Sequence, residues 1–174
     1  MQNSPIEIGD FEASEADQLG VIFFDAVREG ATEFYNIEQR QAWASKTPSG
    51  PNWASRLSAQ KTVVARQAGL PVGFMTLDRV GYIDLAFVAP KHQRQGIGGK
   101  LYARIEELAR AASMARLHSQ ASYLVRGLFE GQGWELVQEQ QIERAGVTLT
   151  NFLMEKHLHD PVRRTNVAAK SEHT

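Results

Sequence analysis

Apolar residues recur along this chain at two spacings. From Ser14 to Gly30 they fall three or four apart, at Leu19, Ile22, Phe23, Ala26 and Val27, the stripe of an amphipathic helix. Ser14 and Asp17 stand at capping-box spacing, with Asp in place of Glu. "PIEI" before them reads as a short strand. "NIEQRQAWASK" reads as a second helix, with Asn36 as cap and Gln39 three residues on. "TPSGPNW" is a loop by its Pro and Gly content, and a short helix follows through Leu57. From Lys61 the spacing changes. "KTVVARQ" and "VGFMTLDRV" flank the turn "AGLP" and predict an antiparallel hairpin, and "GYIDLAFVA" predicts a third strand. In that strand, alternation puts Ile83, Leu85 and Phe87 on one face and Tyr82, Asp84, Ala86 and Val88 on the other.

The helical spacing returns in "KLYARIEELARAA", with Leu101, Ile105, Leu108 and Ala112 on one face. "RLHSQA" follows as a strand and "SYLVRGLFEG" as a short helix. "WELVQEQQIE" and "VTLTNFLMEKHL" pair around "RAG" as a terminal hairpin. The pattern predicts an α/β domain over residues 1–159, with a central mixed, mostly antiparallel sheet flanked by helices. Residues 160–174 are polar, with little to bury, and predict a disordered tail.

One junction stands out. Between the strand ending at Val88 and the helix beginning near Lys100 lies "QRQGIGG". The first amides of a helix have no partners within it and sit at the positive end of its dipole. A phosphate there meets several N–H donors, and glycines clear its approach. The dinucleotide pattern GxGxxG fails, because its sixth position is Leu101. The phosphate-loop pattern GxxxxGK[ST] fails, because Arg94 stands at its first glycine and Leu101 follows Lys100. What remains is QxxGxG, from Gln93 through Gly98.

With "YIDLAFVAP" before it and an amphipathic helix after it, this region resembles the GNAT superfamily of acyl-CoA N-acyltransferases, which carry [QR]xxGx[GA] at this place. "SYLVRGLFEGQGWELV", with Phe129, Gly133 and Trp134, resembles their second motif. The resemblance runs from Ile6 to Leu158. It implies acetyl-CoA as acetyl donor, its pyrophosphate held by Gln93, Arg94, Gln95, Gly96, Ile97, Gly98 and Gly99, with Arg94 and Lys100 adding charge. It implies that the backbone of Phe87 and Val88 pairs with pantetheine, that the Val88 amide is the oxyanion donor, and that Ser122 replaces a cofactor-contacting Asn. Ser122 is equally a helix N-cap. The family's usual tyrosine acid corresponds to Phe129, which cannot give a proton and is left to pack against the cofactor.

An amine must lose a proton to attack. The resemblance puts the base near Tyr82, with Asp84 beside it. A carboxylate in an apolar strand is costly unless paired, so Asp84 is either functional or partnered by an arginine or backbone amide. Tyr35, Trp43 and Trp53 are candidates to line the acceptor site, or else core aromatics. "FYNIEQRQAWA", "YIDLAFV" and the Phe together resemble a bacterial GNAT subgroup of undefined substrate. The implied activity is acetyl transfer to a primary amine by direct attack. A non-catalytic acyl-CoA-binding module and a transferase of longer acyl groups are the alternatives.

Composition removes other classes. The net charge is -1 and basic residues are dispersed, so neither nucleic acid nor an anionic membrane is an expected partner. There are no cysteines, which excludes disulfides and thiolate chemistry. The histidines show no metal-ligand spacing. No apolar run reaches about 18 residues and no signal sequence opens the chain. These features predict a soluble cytoplasmic protein without a metal, and the family makes a homodimer compatible.

Overall fold

A computed structural model describes residues 4–158; the tail expected at residues 160–174 lies outside them. Two antiparallel sheets form the frame. In the first, β1 (Ile6–Asp10), β2 (Lys61–Gln67), β3 (Leu70–Leu77) and β4 (Ala86–Val88) lie in that order. In the second, β7 (Val147–His157) lies between β5 (Arg116–Ala121) and β6 (Glu135–Arg144). The sheets meet at a parallel bridge between Tyr82 and His118. There Ile83 N–H donates to the His118 carbonyl (3.0 Å), and His118 N–H to the Gly81 carbonyl (2.9 Å).

Helices α1 (Ala16–Arg28), α2 (Ile37–Trp43) and α3 (Gly50–Ser58) lie on one side of the first sheet. Leu19, Ala26 and Leu57 pack there against Val64 and Phe74. On the other side α4 (Ile97–Ala111) sets Ile97, Leu101 and Ile105 against Val63, Met75 and Leu77. Neighbouring strand residues thus enter opposite cores, as the period of two requires. Helix α5 (Tyr123–Gly131) covers the second sheet.

Local chemistry explains most element ends. Asn36 and Gln39 exchange side-chain and backbone bonds at 2.9 Å each, a complete capping box for α2. Ala68 and Gly69, at φ 50° and 78°, make the two-residue turn that suits a twisted hairpin. The α1 cap differs from expectation. A short 3-10 turn (Ala13–Glu15) precedes the helix, and Glu15, not Ser14, takes the Glu12 amide. Arg66 holds that carboxylate at 2.6 and 2.8 Å. The loop expected at "TPSGPNW" ends early, because Pro51 in the first turn starts α3 at Gly50. Ala112 caps the end of α4 and is exposed, and Tyr102 and Ala109 are buried on the apolar face in its place.

The third strand is broken, and that matters for the site. Val88, Phe87 and Ala86 oppose Gly73, Phe74 and Met75, and Thr76 N–H donates to the Leu85 carbonyl. Asp78 N–H donates to the Tyr82 carbonyl, one residue further than that register allows. One extra residue therefore lies between Tyr82 and Leu85, a β-bulge. It reverses the alternation. Ile83 joins the α4-side core, while Leu85 and Phe87 join the α1-side core. Ile83, Leu85 and Phe87 do not share a face, contrary to the simple alternation.

Candidate active site

β4 separates from β5 at the parallel bridge. The Ile83 carbonyl is taken by Ser119 Oγ at 2.7 Å. Beyond it, no backbone bond joins β4 to β5 among the described residues. The gap exposes specific groups of β4. Ala89 N–H donates to Val72 O (2.8 Å) and Thr76 N–H to Leu85 O (2.9 Å). Bonded and non-bonded pairs alternate in an antiparallel ladder. Phe74–Phe87 is therefore bonded, and the N–H and C=O of Ala86 and Val88 face the gap. Phe87 has no free backbone to offer there, contrary to expectation; Ala86 takes its place. Gln93 Nε2 donates to the Val88 carbonyl at 3.0 Å. The Val88 amide has no acceptor among the described residues.

A cavity of about 460 Å³ runs from this gap to the glycine loop. Gly96 caps α4 at φ 79°, a conformation that glycine adopts without penalty. Arg94 is also left-handed, at φ 61°. No acceptor takes the amides of Arg94 through Gly99 among the described residues. A Cβ at Gly96 or Gly99 would meet nothing within 4 Å, so the loop surface is open. His92 Nδ1, buried in the cavity wall, has no partner. This is a surface of donors at a helix N-terminus, and it fits a phosphate group. Gly30 supports it: a Cβ there would lie 2.5 Å from Gln93 Nε2.

A second cavity, of about 140 Å³, is lined by residues 82–87, at and before the start of β4. Both cavities are lined by Ala86, Phe87 and Val125, so they meet where β4 leaves β5. Asp84 lines the second cavity and is held by Arg56, whose Nε and Nη2 reach Oδ2 at 3.1 and 2.6 Å. Tyr82 also lines it, its ring 5.2 Å from that of His118. Burial, with the Asp84 charge, raises the Tyr82 phenol above its ordinary 10.0, against a backbone bond from Gln120. Burial, with Arg116, lowers His118 below its ordinary 6.5.

The family model described as the acetyltransferase (GNAT) domain matches residues 24–158. The chain belongs to the GNAT acetyltransferase family. It is 33% identical over 150 residues, 86% of this chain and 94% of the relative, to the uncharacterized N-acetyltransferase YafP of Escherichia coli strain K12. A GCN5-related N-acetyltransferase structure from Rhodopseudomonas palustris superposes with TM-score 0.83 at 30% identity, covering 91% of this chain and 99% of that one. The Salmonella typhimurium acetyltransferase yncA, solved with acetyl-CoA, shares the fold at TM-score 0.70 and 18% identity, covering 90% and 96%.

In this GNAT domain the expected site residues divide. Gln93, Arg94, Gly96, Ile97, Gly98 and Gly99 line the larger cavity, with Phe87 and Val88. Gln95 instead bonds back to the Lys91 carbonyl (3.1 Å), and neither it nor Lys100 lines the cavity. Arg94 pairs with Glu33 at 3.0 Å, both mostly exposed, so the pair is weak. Ser122 caps α5 by accepting from Leu124 N–H (3.2 Å) and lines the smaller cavity.

Three aromatic assignments change. Phe129 is fully buried and stacked on Trp134, centroids 4.1 Å apart. It lines neither cavity, because it points from α5 into the α4-side core. Trp53 is also buried away from both, its Nε1 donating to Ala16 O at 2.7 Å. Tyr35 does reach the smaller cavity, but its hydroxyl is spent on structure. It donates to Thr150 O (2.8 Å) and accepts from Tyr123 N–H (3.2 Å). Trp43 lines the smaller cavity.

Sequence reasoning missed Arg56, Gln120, Arg144 and Asn151 in the smaller cavity, and His92 and Phe34 in the larger. Asn151 carried a signal, a polar residue within the apolar run "LTNFLM". The others lie on separate elements that only the fold brings together. Among the described residues no group of three His, Asp or Glu side chains forms a metal-ligand cluster, and no helix is long and apolar enough to cross a membrane.

Proposed function

We propose that this domain transfers the acetyl group of acetyl-CoA to a primary amine by direct attack. The observation that carries the reading is the meeting of the two cavities at Ala86, Phe87 and Val125, beside the unpartnered Val88 amide. The donor supplies an activated thioester carbonyl. The amides of Arg94 to Gly99 hold its pyrophosphate, and the edge N–H and C=O of Ala86 pair with its pantetheine amides, the Val88 carbonyl being taken by Gln93. Such a seat leaves the Val88 N–H as donor to the carbonyl oxygen, where negative charge develops.

Asp84, on the acceptor side, takes the proton from the amine, directly or through water. Tyr82 has the complementary part. A phenol raised above its ordinary value stays protonated through neutral pH, so it donates a hydrogen bond and does not act as base. With Phe129 buried elsewhere, Tyr82 is the acid that faces the junction. The reading places the protein in the cytoplasm, where acyl-CoA donors are made.

The test is thiol release from acetyl-CoA with a library of primary amines, measured across pH. Asp84→Asn should lower kcat/KM by roughly 100-fold, with the loss greatest at low pH, where the amine is most protonated. Tyr82→Phe should lower kcat with little change in amine KM. Full rate at every pH in both variants would remove both residues from the chemistry.

A further inference from the structure

The acceptor cavity has a charge pattern that the transfer step does not use. On the β6–β7 hairpin, Ile142 pairs with Leu149 and Gln140 with Asn151. Paired residues share a face, and so do residues two apart. Arg144, Ile142, Leu149 and Asn151 thus point the same way, and all four line the cavity. Two of them are polar, Asn151 and Arg144. Asn151 is 8% exposed, and its Oδ1 is buried without a donor. Its Nδ2 reaches Gln120 Oε1 only at 3.5 Å. Arg144 has no carboxylate partner among the described residues. The other arginine of the cavity, Arg56, is neutralised by Asp84.

A buried carbonyl oxygen without a donor asks for an N–H. An unpaired guanidinium in a cavity wall asks for an anion, which it binds through a two-pronged contact. The cavity is small, about 140 Å³, so one small molecule can meet both groups. We infer that the acceptor is a small primary amine that also carries an acidic group, carboxylate or phosphate, with the acid on Arg144 and the amine near Asn151 Oδ1. This rests on the transferase reading and adds the substrate class. Arg144 then determines specificity and takes no part in proton transfer. Asp84, which lines the same cavity, is kept from repelling the acid by its bond to Arg56.

Matched amines test this. Full-length protein saturated with CoA is titrated calorimetrically with β-alanine against propylamine, 4-aminobutyrate against butylamine, and phosphoethanolamine against ethanolamine. A guanidinium–anion contact predicts that the acidic member of at least one pair binds roughly 10- to 100-fold more tightly. Arg144→Gln should bring the two members of that pair to parity, and Arg144→Lys should keep part of the preference. Arg144 is exposed and outside the core, so both variants should fold, which circular dichroism checks. Equal binding within every pair, tighter binding of the neutral members, no binding of any probe, or a preference that survives Arg144→Gln overturns the inference. Thiol release from acetyl-CoA with the neutral amines is scored separately. Transfer without an acid preference removes the inference and leaves the transferase reading standing, whereas failure to bind acetyl-CoA removes the reading itself.

Discussion

Gly99→Ala should move stability and cofactor binding in opposite directions. Gly99 lies in the first turn of α4 and is not among the glycines with positive φ. An added Cβ there meets nothing within 4 Å. The folded chain therefore accepts alanine without strain, and the unfolded chain loses freedom. The gain is about 0.5–1 kcal/mol, or up to about 4 °C in Tm for a domain of this size. The same Cβ enters the space faced by the unpartnered loop amides. Loss of one charge-assisted bond to phosphate costs about 1.5–3 kcal/mol, roughly 10- to 150-fold in affinity. A 100-fold weaker Kd removes about 2.7 kcal/mol of ligand-induced stabilisation at saturating ligand, about 5–11 °C at this size. Thermal unfolding with and without acetyl-CoA reads both effects. The variant should melt above wild type alone and below it with ligand. An unchanged ligand-induced shift would mean that Gly99 does not face the phosphate, and the seat would have to lie elsewhere.

Glu106 gives a pH prediction. Burial alone would raise its carboxyl from 4.5, but bonds from Tyr102, Lys156 and Arg110 (2.6, 2.9 and 2.7 Å) outweigh that and hold it at about 2. Its contribution is present above pH 4.5 and is lost as pH falls from there toward 2, at most about 3 kcal/mol. Denaturant titrations should show a steeper acid loss in wild type than in Glu106→Gln; parallel curves would refute it. Phe129→Tyr buries a hydroxyl in a stacked core and should cost about 1–3 kcal/mol with no gain in kcat, whereas a faster enzyme would return that position to the thioester. Trp53→Phe loses the bond to Ala16 and should cost about 1–3 kcal/mol, leaving the amine KM unchanged; a raised KM would put Trp53 back in the acceptor site.

The parts of the fold legible in the sequence are those fixed by short-range chemistry. The Asn36–Gln39 cap, the Ala68–Gly69 turn and the glycine-rich start of α4 each follow from neighbours along the chain. The glycine loop proposed to seat the cofactor belongs to this group, because what it offers is its local backbone. The acceptor side is different. Its shape comes from the extra residue between Tyr82 and Leu85 and from the departure of β4 from β5, which no spacing in "GYIDLAFVA" records. Its charges come from Arg56 of α3, Asp84 just before β4 and Arg144 of β6. Aromatic residues were the least legible, because Trp53, Phe129 and Trp43 have similar local patterns. Burial separates them: the first two fill cores, and the third reaches a cavity.

The most direct measurement is calorimetric titration of the purified protein with acetyl-CoA, with ATP and NAD as controls and Gly96→Glu as the loop variant. The expected result is micromolar, one-to-one binding selective for acetyl-CoA, abolished by a carboxylate placed where the unpartnered amides converge. Absence of binding to the wild-type protein, or equal binding to the Gly96→Glu variant, would contradict the seat proposed at the N-terminus of α4.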